Sequence, residues 1–286
     1  MAAKIPDDNA ETAAQFVAKT AHPRSLQEAS DSYKFAFADQ EFINRAEERG
    51  IRFQLELQKA DLVLRENDID HTIVVFGSAR FVSKQTAETM LADAADEFSR
   101  NKAEHALKNS AFYESAREFG HIVATHNLMQ SSPKKRLHIC TGGGAGIMEA
   151  ANRGAFEAGD FSIGLNISLP REQTPNKYIT PALCFRFHYF ALRKMHFLLR
   201  ARAIVVYPGG FGSFDEIFEV LTLIQTKKIG ALPVILVGRE HWQSVIRFDL
   251  LLEEGLIDRE DLNIITFVDS TEEAWAAIKQ WYAFTD

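Results

Sequence analysis

Two carboxylates, Asp215 and Glu216, stand just past the glycine run Pro208-Gly209-Gly210-Phe211-Gly212-Ser213, which itself follows the apolar stretch AIVVY. Glycines between a strand and a helix expose backbone N–H groups at the positive end of the helix dipole, and they let an anion approach without a Cβ in the way. Carboxylates repel anions. The pairing therefore calls for a ligand with an anionic end and a second part that becomes positive. A ribosyl group losing its base fits, because its anomeric carbon acquires oxocarbenium charge. The same letters also spell S-x-x-E from Ser213 to Glu216, a capping box in which Glu216 would only bond back to the Ser213 N–H. Both readings stand at this point.

Two further loops share the pattern of an apolar run ending in small residues: Gly77-Ser78-Ala79-Arg80, and Thr141-Gly142-Gly143-Gly144-Ala145-Gly146. The second lacks the Lys-Ser/Thr of a triphosphate loop. It also departs from G-x-G-x-x-G, and the next strand ends at Asn166 where a dinucleotide site needs an acid for the ribose. One phosphate cradle suits a nucleoside monophosphate or sugar phosphate. On the segment 188–200, Tyr189, Arg193, His196 and Arg200 recur at helical spacing. They read either as a solvated basic face or, since this helix starts where a strand ends, as a means of aiming Arg193 inward to grip a phosphate or carboxylate. His188 and His196 have no acidic or thiol partner at ligand spacing, so no metal is expected. Cys140 and Cys184 each sit in a strand-like run and read as buried reduced thiols.

The elements that must position these residues alternate. Residues 1–24 are polar and read as a tail or loose helix. From Ser25 to Asn67 the apolar residues are spaced for helices, with Gly50 as a break. TIVVF from Thr72 is a continuous apolar run, the mark of a strand buried on both faces. After it come two helices within 83–129, strand RLHICT, a helix from about Gly146, and strand FSIGLNI. Strand LCFRFH, helix 188–200, strand AIVVYP, a helix to Gln225, strand PVILVG, helix 241–254, strand NIITFV and helix 271–283 complete the chain. This alternation predicts an α/β fold, Rossmann-like and doubly wound, with a mostly parallel sheet of about seven strands. The domain reading is 1–71 as an N-terminal tail and helical extension, and 72–286 as the nucleotide-binding catalytic domain. All three glycine loops should meet on the rim at the carboxyl ends of the strands.

A formal charge of −7 over 286 residues argues against a nucleic-acid polymer as partner. The apolar runs are strand-sized, so no membrane span is expected. The N-terminus MAAKIPDDNAET lacks the apolar core of a secretory signal, so the sequence-based expectation is a cytoplasmic protein.

Gly144-Ala145-Gly146-Ile147-Met148-Glu149, Leu169-Pro170-Arg171-Glu172, Arg193-Lys194-Met195 and the run from Pro208 to Glu216 together resemble the LOG ("lonely guy") family of nucleoside 5′-monophosphate phosphoribohydrolases. The signature of that family is PGGxGTxxE after a helix containing Arg-Lys. The resemblance covers about Thr72 to Tyr282, and residues 1–71 look like the extension of longer bacterial members. It implies hydrolysis of the N-glycosidic bond of a nucleotide, AMP or an N6-modified AMP such as a cytokinin riboside monophosphate, without metal or organic cofactor. Carried over, Arg193 and Glu216 are the catalytic pair. Gly209, Gly210, Gly212 and Ser213 hold the phosphate, with Gly143, Gly144 and Lys194 nearby. Glu172 and Thr222 line the substrate site by the same carry-over, and Ser78 and Arg80 of the first rim loop and Asp215 beside Glu216 are expected to bind substrate with them. Ser213 stands where the family usually has Thr, so the hydroxyl is kept. The resemblance also implies a homo-oligomer. Family members have been labelled lysine decarboxylases, but nothing in the sequence suggests a Schiff-base lysine. The rival reading is a nucleotide carrier of the same fold, which would not need the pair Arg193 and Glu216.

Overall fold

The structure is a computed structural model and describes residues 25–170 and 174–283. Its contacts divide into two compact units between Glu56 and Leu57. In the first, the short helix α1 (Gln40–Ile43) is capped by Asp39, whose carboxylate accepts the Phe42 N–H at 3.0 Å. The Arg52 guanidinium donates to the carbonyls of Ile43 and Arg45, at 2.5 and 2.6 Å, and so holds the chain leaving α1. Helix α2 (Arg49–Glu66) includes Gly50 in its first turn, so the expected break falls at the helix start.

The second unit is built on a seven-stranded sheet in the order β4-β3-β2-β1-β5-β6-β7, with all six pairings parallel. The strands are β1 (Thr72–Phe76), β2 (His138–Thr141), β3 (Ser162–Ile167), β4 (Cys184–Phe187), β5 (Ala201–Val206), β6 (Val234–Val237) and β7 (Ile265–Val268). Parallel strands need crossovers that cover both faces, which is why the central strands are mostly apolar. Every residue of β1 is buried. Alternate side chains feed two cores. Val74, Phe76, Ile204 and Val206 pack on one face with Phe197 of α6 (Phe190–Leu199) and Ile217, Val220 and Ile224 of α7 (Phe211–Gln225). Ile73, Val75, Ala203 and Val205 pack on the other with α4 (Glu97–Met129), α5 (Ile147–Glu157) and α10 (Thr271–Tyr282). The doubly wound α/β reading and the strand count hold.

One element differs from expectation. The single helix read over 241–254 is two, α8 (Arg239–Val245) and α9 (Phe248–Glu253), because Ile246 is extended at φ −131°, ψ 117°. The two helices expected within 83–129 are α3 (Lys84–Ala92) and α4. The strand order reverses direction on the two sides of β1, and the crevice outside the carboxyl ends of β1 and β5 is where such sheets bind ligands.

Candidate active site

The three glycine loops are bonded to one another. Ser78 donates its N–H to the Pro208 carbonyl at 2.9 Å, and its own carbonyl accepts the Ile147 N–H at 3.0 Å. These two bonds tie the ends of β1 and β5 to the start of α5, so the expected rim forms. Gly209 is required by closeness: a Cβ there would overlap the Ser213 hydroxyl and press on the Gly77 backbone. Gly210 and Gly212 differ, since both are exposed and a Cβ on either would meet open space. They flank the first free N–H groups of α7, whose first return bond runs from the Ser213 N–H to the Gly210 carbonyl at 2.9 Å. This start is the part of the rim best shaped for a phosphate.

The second loop is held differently. Gly143, at φ +72°, donates its N–H to Thr141 Oγ1 at 2.9 Å and accepts from the Asn176 N–H at 2.9 Å. The Asn176 side chain donates to the Gly144 carbonyl and to Asn152 Oδ1, both at 3.0 Å, and Thr141 also donates to Asn152 at 2.7 Å. Gly143 and Gly144 are thus buried in a polar network that shapes the rim. Asn152 and Asn176 were missed from sequence, where an asparagine inside a helix or loop carries no periodic signal.

Helix α6 brings Arg193 inward. Its guanidinium lies against Gly142, where a Cβ would sit 2.9 Å from Nη2, and it packs 5.1 Å from the Phe197 ring centre. Its Nε is buried without a hydrogen-bond partner, and no ion pair to it exists among the described residues. Burial lowers its pKa, against the opposing charges of Glu216, Cys140 and Asp215. A half-buried cation left in this state is poised for an anionic ligand. The rest of the polar stripe is not a solvated face: His196 is buried and bonds the Leu57 carbonyl through Nε2 at 3.1 Å, and Arg200 pairs with Asp61 at 2.6 Å.

Glu216 lies one helix away on α7 and is 8% exposed. Burial raises its pKa to about 7. Arg193 and Lys194 pull it down, while Glu219 and Asp215 push it up. The capping-box reading does not hold. Gly210 is the residue that caps α7, which places Ser213 inside the first turn and Glu216 a turn beyond it. Lys194 is ion-paired with Asp215 at 2.9 Å and Glu219 at 2.7 Å. Burial alone would lower its pKa, but these carboxylates outweigh it and hold the ammonium charged, the wrong state for a Schiff-base nucleophile. Glu219 was not singled out from sequence, where it reads as one more polar residue on the helix.

The remaining expected positions scatter around this centre. Ser78 is half-buried, and its hydroxyl accepts the Arg80 N–H at 3.1 Å, while the Arg80 side chain is exposed at the rim. Thr222 bonds the Phe218 carbonyl at 2.7 Å and lines an open groove of about 540 Å³ along α7 with Phe211, Phe214 and Leu223. Glu172 lies outside the described residues. Among the described residues no group of three or more His, Cys, Asp or Glu side chains is placed to hold a metal ion, and no helix is long and apolar enough to cross a membrane.

Comparison with known proteins agrees with the motif reading. Residues 148–278 match the family model described as "possible lysine decarboxylase". The chain is 30% identical over 147 residues to the cytokinin riboside 5′-monophosphate phosphoribohydrolase LOG1 of Arabidopsis thaliana, covering 49% of this chain and 66% of that one. It is 24% identical over 182 residues to LOG3 of the same plant, covering 61% and 77%. Among solved structures, that of TM1055 superposes at a TM-score of 0.47 with 21% identity, over 73% of this chain and 99% of that one. The molybdenum cofactor carrier protein of Chlamydomonas reinhardtii does so at 0.42 with 20% identity, over 75% and 99%.

Proposed function

We propose, on the premise that this chain is a distant relative of the LOG proteins, that it hydrolyses the N-glycosidic bond of a nucleoside 5′-monophosphate, AMP or an N6-modified AMP, to free base and ribose 5-phosphate. The observation that carries the reading is the placing of a half-buried arginine, whose buried Nε has no partner, near a buried carboxyl of pKa about 7 beside an open helix N-terminus. In this account the phosphate sits over Gly210 and Gly212 at the start of α7. The ribose then reaches along the helix toward Glu216, and the base toward the groove that Thr222 lines. Asp215 and Lys194 act through their ion pair, which fixes α6 against α7 and so fixes Arg193 relative to Glu216.

The bond from the anomeric carbon to the base nitrogen breaks, and a water oxygen bonds to that carbon. One water proton leaves to Glu216, and the departing base gains one, so the sum is nucleotide plus water giving base plus sugar phosphate. A general base works best with a pKa near the working pH, and Glu216 has one. The ionised carboxylate also faces the developing ribosyl cation, while Arg193 holds the anionic side of the ligand. Electrostatic placement of this kind is worth about 10²–10³ in rate per group. We further propose that the protein works in the cytoplasm as a homo-oligomer, which the exposed Phe190, Leu199 and Phe211 on neighbouring helices favour. Incubation with a panel of monophosphates and chromatography of released base tests the activity. Retention of nucleotide without release of base from any of them would favour a nucleotide-binding protein.

A further inference from the structure

The end of the sheet opposite the glycine rim carries a second cavity, of about 510 Å³. Three strands lead into it: His71 precedes β1, Leu137 precedes β2, and Arg202 is the second residue of β5. Lys134 and Lys135 join them from the turn Pro133–Lys135, and Tyr282 from the end of α10. β1, β2 and β5 are the same strands whose other ends carry the three rim loops. At a rise of about 3.3 Å per residue, roughly 15 Å of strand separates the two sites.

Charge in this cavity is one-sided. Lys134, Lys135 and Arg202 line it and, among the described residues, no carboxylate does, in a chain whose formal charge is −7. Among the described residues none of these three cations makes an ion pair. Several half-buried cations elsewhere in the fold are matched: Arg200 has Asp61, Arg153 has Glu157 and Lys194 has two carboxylates. Arg202 instead donates through Nε to His71 Nδ1 at 3.1 Å. Burial, and then the guanidinium, keep the His71 pKa low against the pull of nearby Asp70, so the ring is a neutral neighbour. The Tyr282 hydroxyl donates to the Arg202 carbonyl at 2.7 Å and secures α10 to the strand that carries this arginine.

Three cations line one half-enclosed space with no carboxylate among the described residues to offset them, so the space attracts a ligand with several anionic oxygens. Arginine meets phosphate in a bidentate fashion and the two lysines supply point charges at the mouth. We propose that this cavity is a second ligand site, distinct from the glycine rim, for a small anion carrying two or more phosphate groups. The inference stands on the lower end of the sheet alone and does not depend on the reaction assigned to the rim.

The test is calorimetric titration of inorganic pyrophosphate, with a chelator present, into the full chain bearing Arg193→Ala, so that binding at the rim is not mistaken for binding here. The site predicts saturable binding in that background, weakened at least tenfold by adding Lys134→Ala and Lys135→Ala. Both lysines are exposed, so their removal leaves the fold intact. Arg202→Gln in the same background gives a second, independent loss of at least tenfold, with an unchanged circular dichroism spectrum. Absence of binding in the Arg193→Ala protein, or binding that the lysine substitutions leave unchanged, overturns the proposal.

Discussion

Arg193 and Glu216 face each other's charge across two adjacent helices, yet among the described residues no ion pair joins them. The neighbouring Lys194 takes up Asp215 and Glu219 instead. The cluster therefore holds two cations and three carboxylates, a net charge of −1 when Glu216 is ionised and zero when it carries a proton. Burial holds the carboxyl near neutrality against the pull of the two cations, which outweighs the push of Asp215 and Glu219, and the arginine is left available to something outside the protein.

The first consequence is in the pH profile. Glu216 acts as a base, so kcat/KM should rise as pH climbs through about 7, where the carboxyl ionises. A profile measured from pH 5 to 9 should show this acidic limb. A rate that is flat through that range would remove the base role.

Removing Lys194 tests the coupling within the cluster. Lys194→Met leaves Asp215 and Glu219 without their cation and takes a positive charge away from Glu216. The acidic limb should move upward by up to about one pH unit, following the like-charge rule for carboxylates. KM and kcat at pH 9 should change less than the position of the limb.

Stability should depend on Glu216 in the opposite sense to activity. The folded pKa of about 7 lies above the ordinary carboxylate value of 4.5, so the native state holds the proton more tightly than the unfolded chain. Such a group costs nothing below the lower value, and its penalty grows between the two as pH rises, to about 3 kcal/mol above both. Glu216→Gln should therefore raise the melting temperature at pH 8 and give a smaller gain at pH 5. Equal shifts at both pH values would contradict the account of its burial.

The rim glycines should separate into two kinds. Gly209→Ala forces a methyl group against the Ser213 side chain and Gly77, and should destabilise the protein by about 1–3 kcal/mol. Gly210→Ala meets open space, so the fold should survive while the added Cβ obstructs phosphate and raises KM. Urea denaturation and steady-state kinetics on the two variants make the comparison.

The sheet and its rim were legible in the sequence because parallel strands leave a simple trace, an apolar run such as TIVVF or AIVVY ended by glycine. The break between α8 and α9 was not, since Ile246 and Arg247 fit a helical pattern and only their backbone angles end it. Ser213 to Glu216 matched a capping box by letters. The helix instead begins earlier, at Phe211, with the Ser213 N–H bonded to the Gly210 carbonyl, and that start cannot be read along the chain. Arg193 shared a stripe with Arg200 and His196. Periodicity says which residues share a face, but the rim and α2 decide which of them are solvated. The scaffold of two asparagines and a threonine around Gly143 depends on residues from β2, α5 and the segment after β3, a convergence with no local signature.

The central claim is that Glu216 serves the sugar of a bound nucleotide. Release of adenine from AMP by the wild-type protein and by Glu216→Gln, measured by chromatography at pH 8 beside AMP binding to each, addresses it most directly. The account predicts release by the wild type, a fall of at least about 10²-fold in the variant, and binding that stays within a few-fold. Equal release by the two proteins would contradict it.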